Sequence, residues 1–173
     1  MKTRHVIVIG GSVAGLGVAL ALSGRGHRVT VLEADATPMP ADHSEAFAHW
    51  RRKGSPQARH SHALLARLHN LIRDHAPELL EKLLAGGAQE LRFTDRLRQL
   101  FPDAATEAGD EDLVALACRR ITFEWILRRH VLDTGLVDFR DGVAVTRLEA
   151  RRPHGTPPVV EGGWVKTANG GES

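Results

Sequence analysis

Six consecutive residues, Gly10-Gly11-Ser12-Val13-Ala14-Gly15, have the composition and spacing of a phosphate-binding loop. Gly10 suits a tight turn, and Gly15 lets a following helix pack closely on the strand before it. Ser12 stands where such loops carry a middle glycine. Its side chain is small, and its hydroxyl can donate to a phosphate oxygen. The helix that follows would present backbone N–H groups and a positive dipole end to a pyrophosphate. Glu33 lies 23 residues after Gly10. A carboxylate there can accept both hydroxyls of an adenosine ribose, and it repels a 2′-phosphate, so NADP is disfavoured. A glycine-rich turn alone says little. Strand, loop, helix, strand and acid in that order predict a dinucleotide site.

Other chemistry-bearing residues do not converge in the same way. His60, His62, His69 and His75 are spaced by 2, 7 and 6 positions. Those intervals do not put ligands on one helix face, where i and i+4 meet, and no cysteine stands among them, so no metal site is predicted. Cys118 is the one cysteine and reads as a small buried hydrophobe. Asp110, Glu111 and Asp112 read as a solvated acidic turn. Trp50, Trp125 and Trp164 are isolated and read as packing residues.

The elements that must position the loop follow from periodicity. His5 to Ile9 is a β-branched run suited to a buried parallel strand. Val13 to Ser23 is rich in alanine and leucine and predicts a helix stopped by Gly24 and Gly26. Val29 to Leu32 predicts a second strand, which completes a βαβ unit. Ala34 to Ser61 has no clear period and contains Pro38, Pro40 and Pro56. It reads as a long loop with a short helix near Ser44 to Trp50, and a loop of that length is usually functional or disordered. Its irregular path leaves room for a ligand longer than the adenosine half, which favours FAD over NAD. Leu64, Leu65, Leu68, Leu71 and Ile72 predict a helix, with another from Glu78 to Leu84 ended by Gly86-Gly87. Glu90 to Phe101 predicts one or two strands, and Leu113 to Cys118 another. Phe123, Ile126, Leu127 and Val131 predict a helix with Thr122 as N-cap. Val137 to Phe139, Val143 to Leu148 and Val159 to Val165 predict short strands before a polar tail, 168–173.

The bulk composition bounds the class. The chain has 173 residues, with 42% hydrophobic and 25% charged, enough for a sizeable core. A formal charge of +2 with scattered arginines does not indicate a nucleic-acid partner. The lone cysteine fits a reducing cytoplasm. Val6 to Leu22 resembles a secretory signal segment. Its glycines, and the strand and acid that follow, argue against that reading and against a stable membrane insertion.

Three stretches together resemble the group A flavoprotein monooxygenases, within the superfamily that also includes flavin-dependent halogenases and geranylgeranyl reductases. Val6 to Glu33 resembles the family's opening. Arg52-Lys53-Gly54-Ser55-Pro56-Gln57, running into Arg59-His60-Ser61-His62-Ala63-Leu64, resembles a second stretch. Arg120-Ile121-Thr122-Phe123-Glu124 with Leu127-Arg128 resembles a third. The similarity spans residues 4 to 149, and Gly142 to Leu148 matches the strand that closes it.

The resemblance implies an α/β fold with a Rossmann-type parallel sheet that binds FAD, and an incomplete second region. It divides the chain into an FAD-binding part, 1–150, and a truncated strand and tail, 151–173. The residues it assigns to the cofactor are Gly10, Gly11, Ser12, Val13, Ala14, Gly15, Glu33, Ala34, Arg52, Arg120 and Val145. Arg52 is placed on the flavin-facing side of the long loop, as are His60 and His62. Arg120 is placed at the ribose or pyrophosphate, and the Val145 backbone at the adenine. The implied activity is a flavin-dependent oxidation of a small organic molecule with NADH or NADPH as donor and dioxygen as oxidant. The chain departs from the family in Ser12, and it ends before the later motifs that hold the flavin and the substrate. An inactive, truncated module that binds FAD or NAD is therefore the alternative. The resemblance names no catalytic side chain and no oligomeric state.

Overall fold

The computed structural model describes residues 2–103, 105–152 and 155–168. Of the expected polar tail, 168–173, only Ala168 lies among them. The chain separates into two compact units. The first comprises Met1–Met39, Arg51–Ser55 and Leu127–Ser173, and the second comprises Pro40–Trp50 and Pro56–Ile126.

The first unit is built on a parallel sheet. β1 (His5–Ile9) leads through α1 (Val13–Ser23) to β2 (Arg28–Leu32). β6 (Val137–Arg140) pairs with the far edge of β2, giving the order β1-β2-β6 with every pair parallel. Alternation of side chains along the strands puts Val6, Val8, Val29, Val31, Val137 and Phe139 on one face. Val8, Val29 and Val31 are buried there with Ala19 of α1, and Leu22 packs against the cluster. Each buried aliphatic side chain contributes roughly 1.5–3 kcal/mol, which fixes α1 over the sheet. β7 (Val143–Arg151) and β8 (Val159–Thr167) form an antiparallel hairpin whose register shifts between Val145 and Arg147.

The second unit is built on an antiparallel sheet of order β3-β5-β4. It comprises β3 (Ser61–Leu64), β4 (Gln89–Arg92) and β5 (Val114–Arg119), with β5 central. Val114, Ala115 and Leu116 of β5 are buried, as are Ile72 of α3 (Ala66–His75) and Leu79 and Leu83 of α4 (Pro77–Ala85). α2 (His43–His49) is capped by Asp42, whose carboxylate accepts the N–H groups of Ser44 and Glu45 at 2.8 Å each. The Trp125 indole N–H donates to the Pro40 carbonyl at 2.9 Å. α6 (Arg120–Asp133) belongs to the second unit up to Ile126 and to the first from Leu127.

The expected α/β class and the opening βαβ unit hold. Three local expectations are corrected. Residues 93–100 form a helix, α5 (Phe93–Leu100), where strands were expected through Phe101. Phe93, Leu97 and Leu100 recur at i, i+4 and i+7, a helical spacing. Leu64 lies in β3 and Leu65 at the N-cap of α3, so the expected first helical turn there is extended chain. Thr122 is not an N-cap. β5 runs directly into α6 at Arg120, two residues earlier. The Arg120 N–H is held by the His60 carbonyl at 3.0 Å, so a neighbouring backbone does what a capping side chain would.

Candidate nucleotide-binding site

The site lies at the carboxyl ends of β1 and β2, wholly within the first unit. Gly10 extends the ladder one step beyond β1, its N–H donating to the Leu32 carbonyl at 2.8 Å. Its φ of +97° is a left-handed conformation that side chains disfavour. A Cβ there would meet nothing within 4 Å, so the loop faces open space. At Gly15 the situation is opposite. A Cβ would overlap the Gly10 carbonyl oxygen and press on Val8, so helix and strand meet without room for a side chain.

α1 begins at Val13 with Ser12 as its extended N-cap, and no acidic residue stands in its first turn. The first intrahelical bond is donated by Leu16 to the Ser12 carbonyl at 2.9 Å. The N–H groups of Val13, Ala14 and Gly15 come before it and have no intrahelical acceptor. They form a positive end available to an anion.

Glu33 stands just past β2. Its backbone is fixed on both sides, with its N–H donating to Arg140 O and its carbonyl accepting from Val143 N, each at 2.9 Å. Its side chain is buried and heavily bonded. Oε2 accepts from the Gly11 N–H at 2.8 Å and from Arg52 Nη2 at 3.1 Å, and Oε1 accepts from the Asp35 N–H at 2.8 Å. Burial pushes its pKa up. The Asp35 N–H, the Arg52 charge and the Gly11 N–H together outweigh that and hold it below the ordinary 4.5. Asp35 is similar. Burial raises its pKa, and the Thr37 hydroxyl and N–H with the Arg52 charge bring it below 3.8. Arg52 bridges the two carboxylates, with Nη1 donating to Asp35 Oδ2 at 3.0 Å.

Of the residues expected from sequence, the structure brings together Gly10, Gly11, Ser12, Val13, Ala14, Gly15, Glu33 and Arg52. Ala34 is exposed beside Glu33. Val145 lies in β7 opposite Val165. Arg120 belongs to the second unit, where Nη1 donates to the buried Glu124 Oε2 at 2.6 Å. His60 and His62 also belong to that unit, and His62 pairs with Cys118 across β3 and β5. Sequence reasoning missed Asp35, Phe139 and Arg128. Arg128 was visible only as half of the Leu127-Arg128 pair. Asp35 had a signal in its place two residues beyond Glu33.

These groups suit the adenosine diphosphate half of a dinucleotide. The open face over Gly10 can admit a pyrophosphate, and the first turn of α1 supplies donors without an opposing acid. Two carboxylates bridged by Arg52 stand beside the loop.

The sequence model of the family described as DAO, FAD dependent oxidoreductase, matches residues 5–171. Protein Rv3254 of Mycobacterium tuberculosis is 35% identical over 135 residues, covering 75% of this chain. The chain spans only about a quarter, 26%, of that relative's length. Among solved structures, p-nitrophenol 4-monooxygenase PnpA of Pseudomonas putida superposes with a TM-score of 0.60 at 18% identity, over 100% of this chain and 39% of its own. The myxobacterial chondrochloren halogenase CndH gives a TM-score of 0.60 at 20% identity, over 99% of this chain and 35% of its own. At those identities the likeness is one of fold.

Proposed function

The chain belongs to the FAD dependent oxidoreductase family, and from that premise we propose that its first unit holds the adenosine diphosphate half of FAD for a monooxygenase-type reaction. In this reading the electron donor is NADH or NADPH, the oxidant is dioxygen, and the substrate is a small organic molecule. The observation that carries it is the loop from Gly10 to Gly15, open above Gly10, with the ionised Glu33 beside it.

Bound there, FAD would supply two-electron redox chemistry between a nicotinamide donor and dioxygen. The residues of this chain bind and orient. The N–H groups of Val13, Ala14 and Gly15 receive the pyrophosphate. Glu33 accepts the ribose hydroxyls. Asp35 holds the Arg52 guanidinium against Glu33 and so fixes the carboxylate's direction. Ala34 and the Val145 backbone are the candidate neighbours of the adenine.

Equilibrium titration of the protein with FAD and with NADP tests the proposal. FAD is expected to bind more tightly, and tighter binding of NADP would refute it. Donor consumption measured together with hydrogen peroxide then tests the reaction type. A complete monooxygenase site consumes donor in step with an added organic substrate and releases little peroxide, whereas the adenosine diphosphate end held here is expected by itself to give peroxide.

A further inference from the structure

Arg128 is a buried guanidinium behind the phosphate loop, with 2% of the residue exposed. Nη2 donates to the Gly11 carbonyl oxygen at 3.0 Å and stands 3.9 Å from Glu33 Oε2. Its Cζ lies over the Phe139 ring, 4.6 Å from the centroid. We infer that Arg128 is a positioning residue that orients the Gly11–Ser12 peptide toward a bound pyrophosphate. The inference rests on the FAD reading above.

A trans peptide is planar, so its carbonyl and the next N–H point in opposite directions. Arg128 draws the Gly11 carbonyl inward, which turns the Ser12 N–H outward, away from the buried guanidinium. Glu33 holds the Gly11 N–H at 2.8 Å. Both polar groups of Gly11 are thereby fixed. Glycine needs such fixing, because its backbone rotates between conformations at little cost. Phe139 and the planar fork of the guanidinium set the donor's direction, which an ammonium does not reproduce. Buried behind the loop, Arg128 acts on a phosphate through the peptide it holds.

The test compares wild type, Arg128→Met and Arg128→Lys in the full chain, titrated with FAD, ADP and adenosine at low salt and at high salt. Arg128→Met is expected to weaken FAD and ADP alike by about tenfold, the scale of one charge-assisted hydrogen bond. Adenosine, which lacks the pyrophosphate, is expected to change by less than about twofold, and the loss is expected to be equal at both salts because a fixed peptide dipole is not screened as an exposed charge is. Arg128→Lys keeps a donor for the Gly11 carbonyl and is expected to recover part of the loss. An equal loss for adenosine and ADP would overturn the inference, since it would mean general damage. A loss that fades at high salt would also overturn it, since Arg128 would then act as a direct charge.

Amide resonances of the ligand-free protein give an independent readout. Arg128→Met is expected to shift the Ser12 amide, and an unmoved Ser12 would overturn the inference. If Arg128→Met does not fold, Arg128→Lys carries the same comparisons. If the wild type binds neither FAD nor ADP, the FAD reading fails and the inference with it, whereas a wild type that binds both and an Arg128→Met variant that binds them equally well overturn the inference alone.

Discussion

At the scale of single residues, the site depends on where side chains are absent and where charges are paired. Gly15→Val would force a branched side chain into the Gly10 carbonyl, an overpacking cost of about 1–3 kcal/mol. FAD binding is expected to weaken at least about tenfold while circular dichroism stays native, and binding equal to wild type would misplace the loop. Ser12→Gly restores the more usual loop residue and is expected to bind FAD within about twofold of wild type. Glu33 gives a pH prediction. Its folded pKa is lowered below 4.5, so its contribution to stability is complete above that value and is lost as pH falls through the folded pKa. Urea midpoints are expected to be insensitive to this group above about pH 4.5 and to fall below it, and Glu33→Gln is expected to flatten that acid limb. A steep fall starting near neutrality that vanishes in the Gln variant would contradict the pairing. The loop and Glu33 were legible in the sequence because their order along the chain is itself the signal. Arg128 was not, because its partner is set by tertiary packing: it meets Gly11 across 117 residues.

At the scale of elements, legibility followed the strength of the period. β1, α1 and β2 were read within a residue or so at each end, because a buried parallel strand and an alanine-rich helix leave unmistakable runs. β3 and α5 were misread because each is short and its period competes with a neighbour's. Thr122 was misread for a different reason. A threonine at a helix start suits an N-cap, but here β5 passes straight into α6 two residues earlier. That error yields a prediction. Thr122→Val removes the hydroxyl and keeps the volume, and it is expected to change stability by less than the ~1 kcal/mol typical of a lost N-cap. Arg120→Met instead takes the paired guanidinium from Glu124, which is 0% exposed. Breaking such a buried pair costs about 3–5 kcal/mol. Denaturant unfolding that ranked the two variants in the opposite order would restore Thr122 as the cap.

At the scale of the molecule, the first unit has one well-covered face and one bare stretch. Ile7 and Ile9 point away from α1 and are each 56% exposed. Parallel sheets are usually covered on both faces. The second unit exposes Phe93, Leu100 and Phe101 on and beside α5, at 51%, 60% and 61%. Exposed apolar surface of this kind favours association. The chain expressed by itself is expected to bind an apolar dye and to self-associate in light scattering, and Ile7→Thr with Ile9→Thr is expected to reduce both. A monomeric, dye-silent chain would show that these residues are tolerated in water. Given FAD and a nicotinamide donor, the same chain is expected to yield hydrogen peroxide and no substrate-dependent oxidation, because the described residues that converge here serve the adenosine and phosphate end. Donor oxidation that depends on an added organic substrate, with little peroxide, would show otherwise. Which residues stand bare was not legible in the sequence, since burial of one strand face depends on what packs above it.

The first unit is assembled from three separated stretches of chain, and that has a consequence for the order of its synthesis. The loop and Glu33 leave the ribosome early, and Arg52 follows soon after. Arg128 is 117 residues behind Gly11, and at ~5–20 residues per second the gap lasts roughly 6 to 23 seconds. Throughout that interval β2 has no partner on its far edge, because β6 has not been made. The nascent chain therefore carries the whole glycine motif before it can hold a nucleotide. Stalled chains ending before Arg128 are expected to release FAD freely, and chains extended past Arg140 are expected to retain it.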